Sequence, residues 1–269
     1  MARVNNPEAD ALLDKELPVL DKGFVRLVDY MGGDERVVAA ARVSYGKGTK
    51  TVREDQGLIN YLMRNAHTSP FEQVVLTLHC KMPIFVARQW IRHRTARLNE
   101  ISGRYSVMKD EFYLPTEESL RTQSTTNKQG RGEVPISPEA AKEVLAELAA
   151  GQREAYARYE AMLAQDLARE VARIGLPLSL YTEWYWQMDL HNLFHFLRLR
   201  LDAHAQWEIR EYAKVIATLA RAVAPMCYAA FERYALHGAS LSQESVEWLR
   251  DHVPADDSMP AELKTKLGR

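Results

Sequence analysis

Residues 72–83 read EQVVLTLHCKMP and set Val74, Leu76, Leu78 and Cys80 against Val75, Thr77, His79 and Lys81. Successive side chains of a strand point to opposite faces, so this alternation predicts a strand with one strongly apolar face. A face of that kind must be covered by a second layer of structure. Pro83 suits the first turn of a helix, and PIFVARQWIRHR follows with helical spacing. The strand therefore hands the chain straight to a covering helix, and the basic residues that follow lie at that helix's C-terminal end and in the turn beyond.

The remaining chain reads as more of the same two layers. Residues 1–22 form a polar lead-in with a short amphipathic piece, and GFVRLVDYMG (23–32) alternates as a strand. DERVVAAARVSYG has helical periodicity, with Asp34 placed to cap its first turn, and a further helix covers 53–66. Residues 114–137, rich in Thr, Ser, Gln and Gly, read as a long loop. Ser137-Pro138-Glu139 starts a helix whose pattern runs to Ile174, where Gly175 and Pro177 stop it. LYTEWYWQMDL (180–190) is aromatic and β-prone, and Asp189 reads as the N-cap of HNLFHFLRLRL. HAQWEIREYAKVIATLARAVA is another long helix, with two shorter ones after Pro225 and Ser240. There is no internal repeat and no clean linker. Mostly helix with at least three strands predicts an α+β fold, with 1–269 as one domain.

Formal net charge is −1, so no global field recruits nucleic acid or a membrane surface. Cys80 and Cys227 stand far apart outside any CxxC pattern, which predicts neither a disulfide framework nor a cysteine metal knuckle. MARVNNPEADALLDKE has no apolar run of the signal-peptide kind, and the apolar runs elsewhere are broken well short of a membrane span. The expectation is a cytoplasmic protein that binds neither membrane nor nucleic acid.

Positive charge is instead local. RHRTARLNEISGRY (92–105) packs four arginines and a histidine around one carboxylate, Glu100. A solvated helix face stabilises itself with opposite charges at i,i+4, and this stretch does not. Guanidinium is a planar fork suited to phosphates, carboxylates and imides, so the crowding favours an anionic ligand. Gly103 allows close backbone approach, and Ser102 adds a hydroxyl. A basic surface turn is the bland alternative.

Three other stretches are candidates. HNLFH puts His191 and His195 at i,i+4 with His204 nearby, but Asn192 stands where a zinc hydrolase of the HExxH type carries its glutamate base. Half-buried histidines, a metal site and a ring stacked on a cofactor all remain open for them. Arg198 and Arg200 near a helix end suit the helix dipole without any further role. In NAHTSPFEQ, His67, Ser69 and Glu72 sit where a turn is expected in any case. No Gly-rich phosphate loop, G-x-S-x-G or GxGxxG occurs.

Taken together these pieces resemble one family. RHRTARLNEISGRY resembles the RHR-x7-S signature of the flavin-dependent thymidylate synthases, matching at Arg92, His93, Arg94, Asn99, Glu100, Ser102, Arg104 and Tyr105. Arg97 departs from it, where serine is common. The resemblance extends through NAHTSPFEQVVLTLHCKMPIFVARQW, REVARIGLPLSLYTEWYW and LRLRLDAHAQWEIREYA, spanning about residues 20 to 237. It leaves out the leader 1–20, the 120–136 loop and the tail 240–269.

The resemblance implies the thymidylate synthase-complementing fold, a twisted antiparallel sheet surrounded by helices, in a homotetramer with shared active sites. It implies dUMP methylation to dTMP, with methylenetetrahydrofolate as carbon donor and FAD as hydride source recharged by NADPH. By the same resemblance Ser69, Arg92, His93, Arg94, Glu100, Asp189, His191 and His195 contact FAD. Gln89, Arg92, Glu100, Ser102, Gly103, Arg104, Arg173 and Arg200 contact dUMP, with Arg173 reaching from a neighbouring subunit. Arg200 matches the arginine that favours ionisation at uracil N3, and His204 a place near flavin or folate. No metal is implied. The arginines of 92–104 then have phosphates as partners rather than side chains.

Overall fold

The computed structural model describes residues 6–43, 52–126, 128–254 and 258–268. The chain opens with α1 (Pro7–Asp10), β1 (Glu16–Val19), β2 (Gly23–Met31), α2 (Asp34–Arg42) and α3 (Val52–Arg64). It continues with β3 (Val75–Pro83), α4 (Ile84–Trp90), β4 (Arg97–Glu100), β5 (Arg121–Gln123) and β6 (Arg131–Pro135). Next come α5 (Pro138–Ala164), α6 (Arg169–Ala172), β7 (Tyr181–Asp189) and α7 (Leu190–Arg200). Helices α8 (Trp207–Val223), α9 (Pro225–Phe231), α10 (Gln243–His252) and α11 (Ala261–Leu267) complete it. The fold is α+β.

Five strands form one antiparallel sheet in the order β1-β2-β3-β7-β4. The alternation in 72–83 does what it predicts. Leu76, Leu78 and Cys80 are buried, as are Trp184, Trp186 and Met188 on the paired strand β7. Helix α8 turns Ile209, Tyr212, Ile216, Ala220 and Val223 toward that face, while Arg26, His79 and Tyr185 meet on the other. Trp90 at the end of α4 is the keystone of the aromatic core. Its ring meets Trp184 at 5.5 Å and Trp186 at 5.3 Å edge-on, and stacks on Phe196 at 5.2 Å. No helix among the described residues is long and apolar enough to cross a membrane.

Several elements depart from the reading of the sequence. Asp34 lies inside α2 and caps a different helix: its buried carboxylate accepts from the Met226 and Cys227 amides, both at 2.9 Å. Two of α9's orphan N–H groups are thereby satisfied from nearly two hundred residues away. The lead-in supplies an edge strand, β1, and residues 97–100 form the opposite edge strand, β4. The 114–137 stretch contains the β5–β6 hairpin, preceded by a 3-10 turn over Glu117–Ser119. Helix α5 stops at Ala164, ahead of Asp166 in the left-handed region at φ 59, and short turns carry the chain to Gly175. Aspartate tolerates that conformation better than most residues, so the stop needed no glycine. The tail adds α11, whose Leu267 carbonyl accepts from Arg250 Nε at 3.0 Å. The continuation of DERVVAAARVSYG past residue 43 lies outside the described residues.

Candidate active site

Packing of Trp90 fixes where α4 ends, and the RHR turn begins two residues later. The His93 amide closes onto the Trp90 carbonyl at 3.0 Å. Its ring packs edge-on against Phe196 of α7 at 4.9 Å and faces His195 at 5.8 Å. Helix α7 is started as expected by Asp189, whose carboxylate accepts from the Asn192 amide at 2.9 Å and from the Asn192 side chain. The helix then ends on Arg200, beneath the turn.

There Arg200 Nε donates to His93 Nε2 at 3.1 Å, and Nη2 donates to the Gln89 backbone carbonyl at 3.3 Å. Burial, then the charge of Arg200, then His195 pull the His93 pKa down to about 4. A neutral imidazole with a lone pair on Nε2 is the form that can accept this bond. Burial lowers Arg200 as well, yet a guanidinium stays charged. Arg92, His93, Arg94, Asn192, His195 and Arg200 line a cavity of about 300 Å³ there.

A second cavity, about 340 Å³, opens on the other side of His195. His191, His195 and Arg198 of α7 form one wall, and Ala66, His67 and Thr68 the other. Ala66 holds φ 54 to turn the chain out of α3. Ser69 is exposed in the same turn, and Thr68 Oγ1 donates to Glu72 at 3.3 Å. Two cavities with shared histidine, flanked by Arg92, Arg94 and Arg198, offer cations for a diphosphate and flat walls for a ring system. This donor set fits FAD.

The signature's second half stands apart. Strand β4 is extended, so its four residues carry the chain roughly 13 Å from the RHR turn. Glu100 accepts from Thr182 Oγ1 at 2.6 Å, and Ser102 Oγ accepts from the Arg104 amide at 3.2 Å. Arg104 Nε pairs with Glu170 at 2.9 Å, so this arginine does have a carboxylate partner. Arg97 lies with Asp29, Thr77 and Gln187 at another cavity. The four arginines therefore do not converge within one chain. A Cβ on Gly103 would stand 3.0 Å from Arg173 Cδ, so Arg173 abuts Gly103 within the same chain.

His204 is exposed on the turn after α7, bonded to Asp202 at 2.8 Å. No three His, Cys, Asp or Glu side chains among the described residues are grouped to hold a metal ion. The sequence reading missed Gln206 and Glu208. The usable signal was a carboxylate at 208 on the same helical face as the buried Tyr212.

Comparison with known proteins follows the same lines. Residues 26–226 match the family described as thymidylate synthase complementing protein. A flavin-dependent thymidylate synthase of Treponema denticola is 61% identical over 246 residues, covering 91% of this chain and 92% of that protein. A flavin-dependent thymidylate synthase of Thermus thermophilus is 59% identical over 234 residues, covering 87% of this chain and 84% of that protein. Among solved structures, the UMP/dUMP methylase PolB of Streptomyces cacaoi bound with 5-Br dUMP superposes with a TM-score of 0.74 at 32% identity. That match covers 83% of this chain and 100% of PolB. With sequence and fold in agreement over most of its length, the chain belongs to the flavin-dependent thymidylate synthase family.

Proposed function

We propose that this chain methylates dUMP to dTMP, taking the carbon from methylenetetrahydrofolate, with FAD bound and NADPH as the reductant. The observation that carries the reading is Arg200: a half-buried guanidinium oriented by neutral His93 and the Gln89 carbonyl at a cavity lined by the RHR turn. Cys80 and Cys227 are fully buried, and burial raises both thiol pKa values, so neither offers a thiolate to activate the pyrimidine at C6. The ring must then become nucleophilic at C5 by another route. Arg200 does this by stabilising negative charge on the uracil as the N3 proton leaves. Its fork is preset before the nucleotide arrives, so little reorganisation is needed.

Bound reduced FAD would supply the hydride that turns the transferred methylene into a methyl group. Ser69, Arg92, His93, Arg94, Glu100, Asp189, His191 and His195 would hold it. Asp189 would do so from a carboxylate already capping α7. Gln89, Arg92, Glu100, Ser102, Gly103, Arg104, Arg173 and Arg200 would hold dUMP. Because β4 separates Arg200 from Ser102–Arg104 in one chain, we assign the site to two subunits of a homotetramer, acting in the cytoplasm.

The test is the visible spectrum of the purified protein together with dTMP formation. A flavin band, and turnover that needs dUMP, methylenetetrahydrofolate and NADPH, are expected. Arg200→Ala should keep the flavin and lose roughly 10- to 150-fold in turnover at saturating dUMP, the value of a charge-assisted hydrogen bond in the transition state. Arg200→Lys should recover only part. No flavin after FAD addition, or full turnover in folded Arg200→Ala, contradicts the reading.

A further inference from the structure

Glu208 opens α8 and is 3% exposed. A buried carboxylate is costly unless its charge is paired and its lone pairs are filled. Here Oε1 pairs with Arg131 Nη2 and accepts from the Tyr113 hydroxyl at 3.2 Å, while Oε2 accepts from Gln206 Nε2 at 2.8 Å. Arg131 comes from the β5–β6 hairpin, where its Nη1 donates to the Ser119 carbonyl at 2.9 Å and its guanidinium lies over Trp207. The hairpin is thus the outer anchor of the carboxylate.

An ionised carboxylate only accepts, so the amide end facing it must be nitrogen. Gln206 Oε1 is thereby turned away, and it accepts from Gln89 Nε2. Gln89 also holds Arg200 through its backbone carbonyl. One charge therefore fixes the polarity of two amides in series.

We propose that Glu208 is a positioning residue of the nucleotide site, acting through Gln206 to lock the Gln89 amide in a single donor–acceptor order. This rests on the reading of Gln89 as a dUMP contact. An unlocked glutamine presents oxygen or nitrogen to a ligand indifferently. A locked one presents its carbonyl and its second N–H in one arrangement, already ordered before binding. The hairpin then has a function: it seats Arg131 against the Glu208 carboxylate.

The test is a double-mutant cycle on the full-length, FAD-loaded protein, read by calorimetric dUMP affinity. Gln206→Met, at an exposed position, removes both amide bonds. It should weaken dUMP binding roughly three- to tenfold, the value of about one hydrogen bond, with FAD content unchanged. Saturating dUMP should restore most of the turnover, so the loss falls on KM rather than kcat. Glu208→Gln should act in the same direction. In a Gln89→Ala background the effect of Gln206→Met should vanish, because the relay has lost its last member. Wild-type affinity in Gln206→Met, or an effect that adds in full to Gln89→Ala, overturns the proposal. Should Glu208→Gln fail to fold, the Gln206→Met cycle still decides. Gln89→Ala that binds dUMP like the wild type overturns the relay alone, whereas a wild-type protein that binds no dUMP overturns the functional reading beneath it.

Discussion

At the scale of single residues, the centre of the account is the pairing of Arg200 with neutral His93 across more than a hundred positions. Its pH dependence has a defined sign. An unfolded histidine protonates near pH 6.5, whereas folded His93 holds off until about 4. Between those values the unfolded state binds the extra proton, so stability falls as pH drops through the window and levels off below it. Melting temperature against pH should therefore drop more steeply in the wild type than in His93→Gln between those limits. Parallel profiles would contradict the assignment. The cysteines make a second residue-scale prediction. Cys80→Ala with Cys227→Ala should lose stability from two small cavities, about 1 kcal/mol or more each, and keep turnover per folded enzyme. A folded double variant without activity would place a thiol in the reaction.

At the scale of elements, what could be read from sequence was what is encoded locally. The period-2 pattern of 74–80, the Ser137-Pro138 start and the Asp189 cap each depend on a few adjacent residues, and the strand and the two helix starts are where they were expected. What could not be read depends on distant partners. Strand β4 carries exposed Arg97 and Asn99 and exists because β7 offers it an edge. Arg104 meets its carboxylate on α6, and Asp34 caps a helix at the far end of the chain. The RHR turn, Ser102–Arg104 and α7 were legible as candidate site elements through the family resemblance, whereas the Arg131–Glu208–Gln206–Gln89 relay was not. Its members come from α4, β6 and the start of α8, three places far apart in sequence. Asp34 gives the element-scale prediction. Asp34→Ala leaves two α9 amides without an acceptor and should cost about 1–3 kcal/mol. Asp34→Asn keeps one of the two acceptor oxygens and turns its NH2 toward the other amide, so it should recover at most part of the stability, and chemical denaturation of the two variants measures the difference. Equal stability of Asp34→Ala and wild type would remove the long-range cap.

At the scale of the whole molecule, one sheet with a helix-covered face holds the two halves of the signature at opposite ends of β4. Arg200, His93 and Gln89 gather at one end, and Ser102, Gly103, Arg104 and Arg173 at the other. We propose that a nucleotide contacting both groups draws them from different copies of the chain. Mixing two impaired proteins tests this most directly: Arg200→Ala subunits with Arg173→Ala subunits, exchanged under mild dissociation, with hybrid oligomers confirmed by native mass. If the groups meet across an interface, random mixing rebuilds an intact site in about one pairing of four, and activity should return toward a quarter of the wild-type value. Confirmed hybrids no more active than their parents would contradict a shared site, and with it the proposed division of dUMP contacts between subunits.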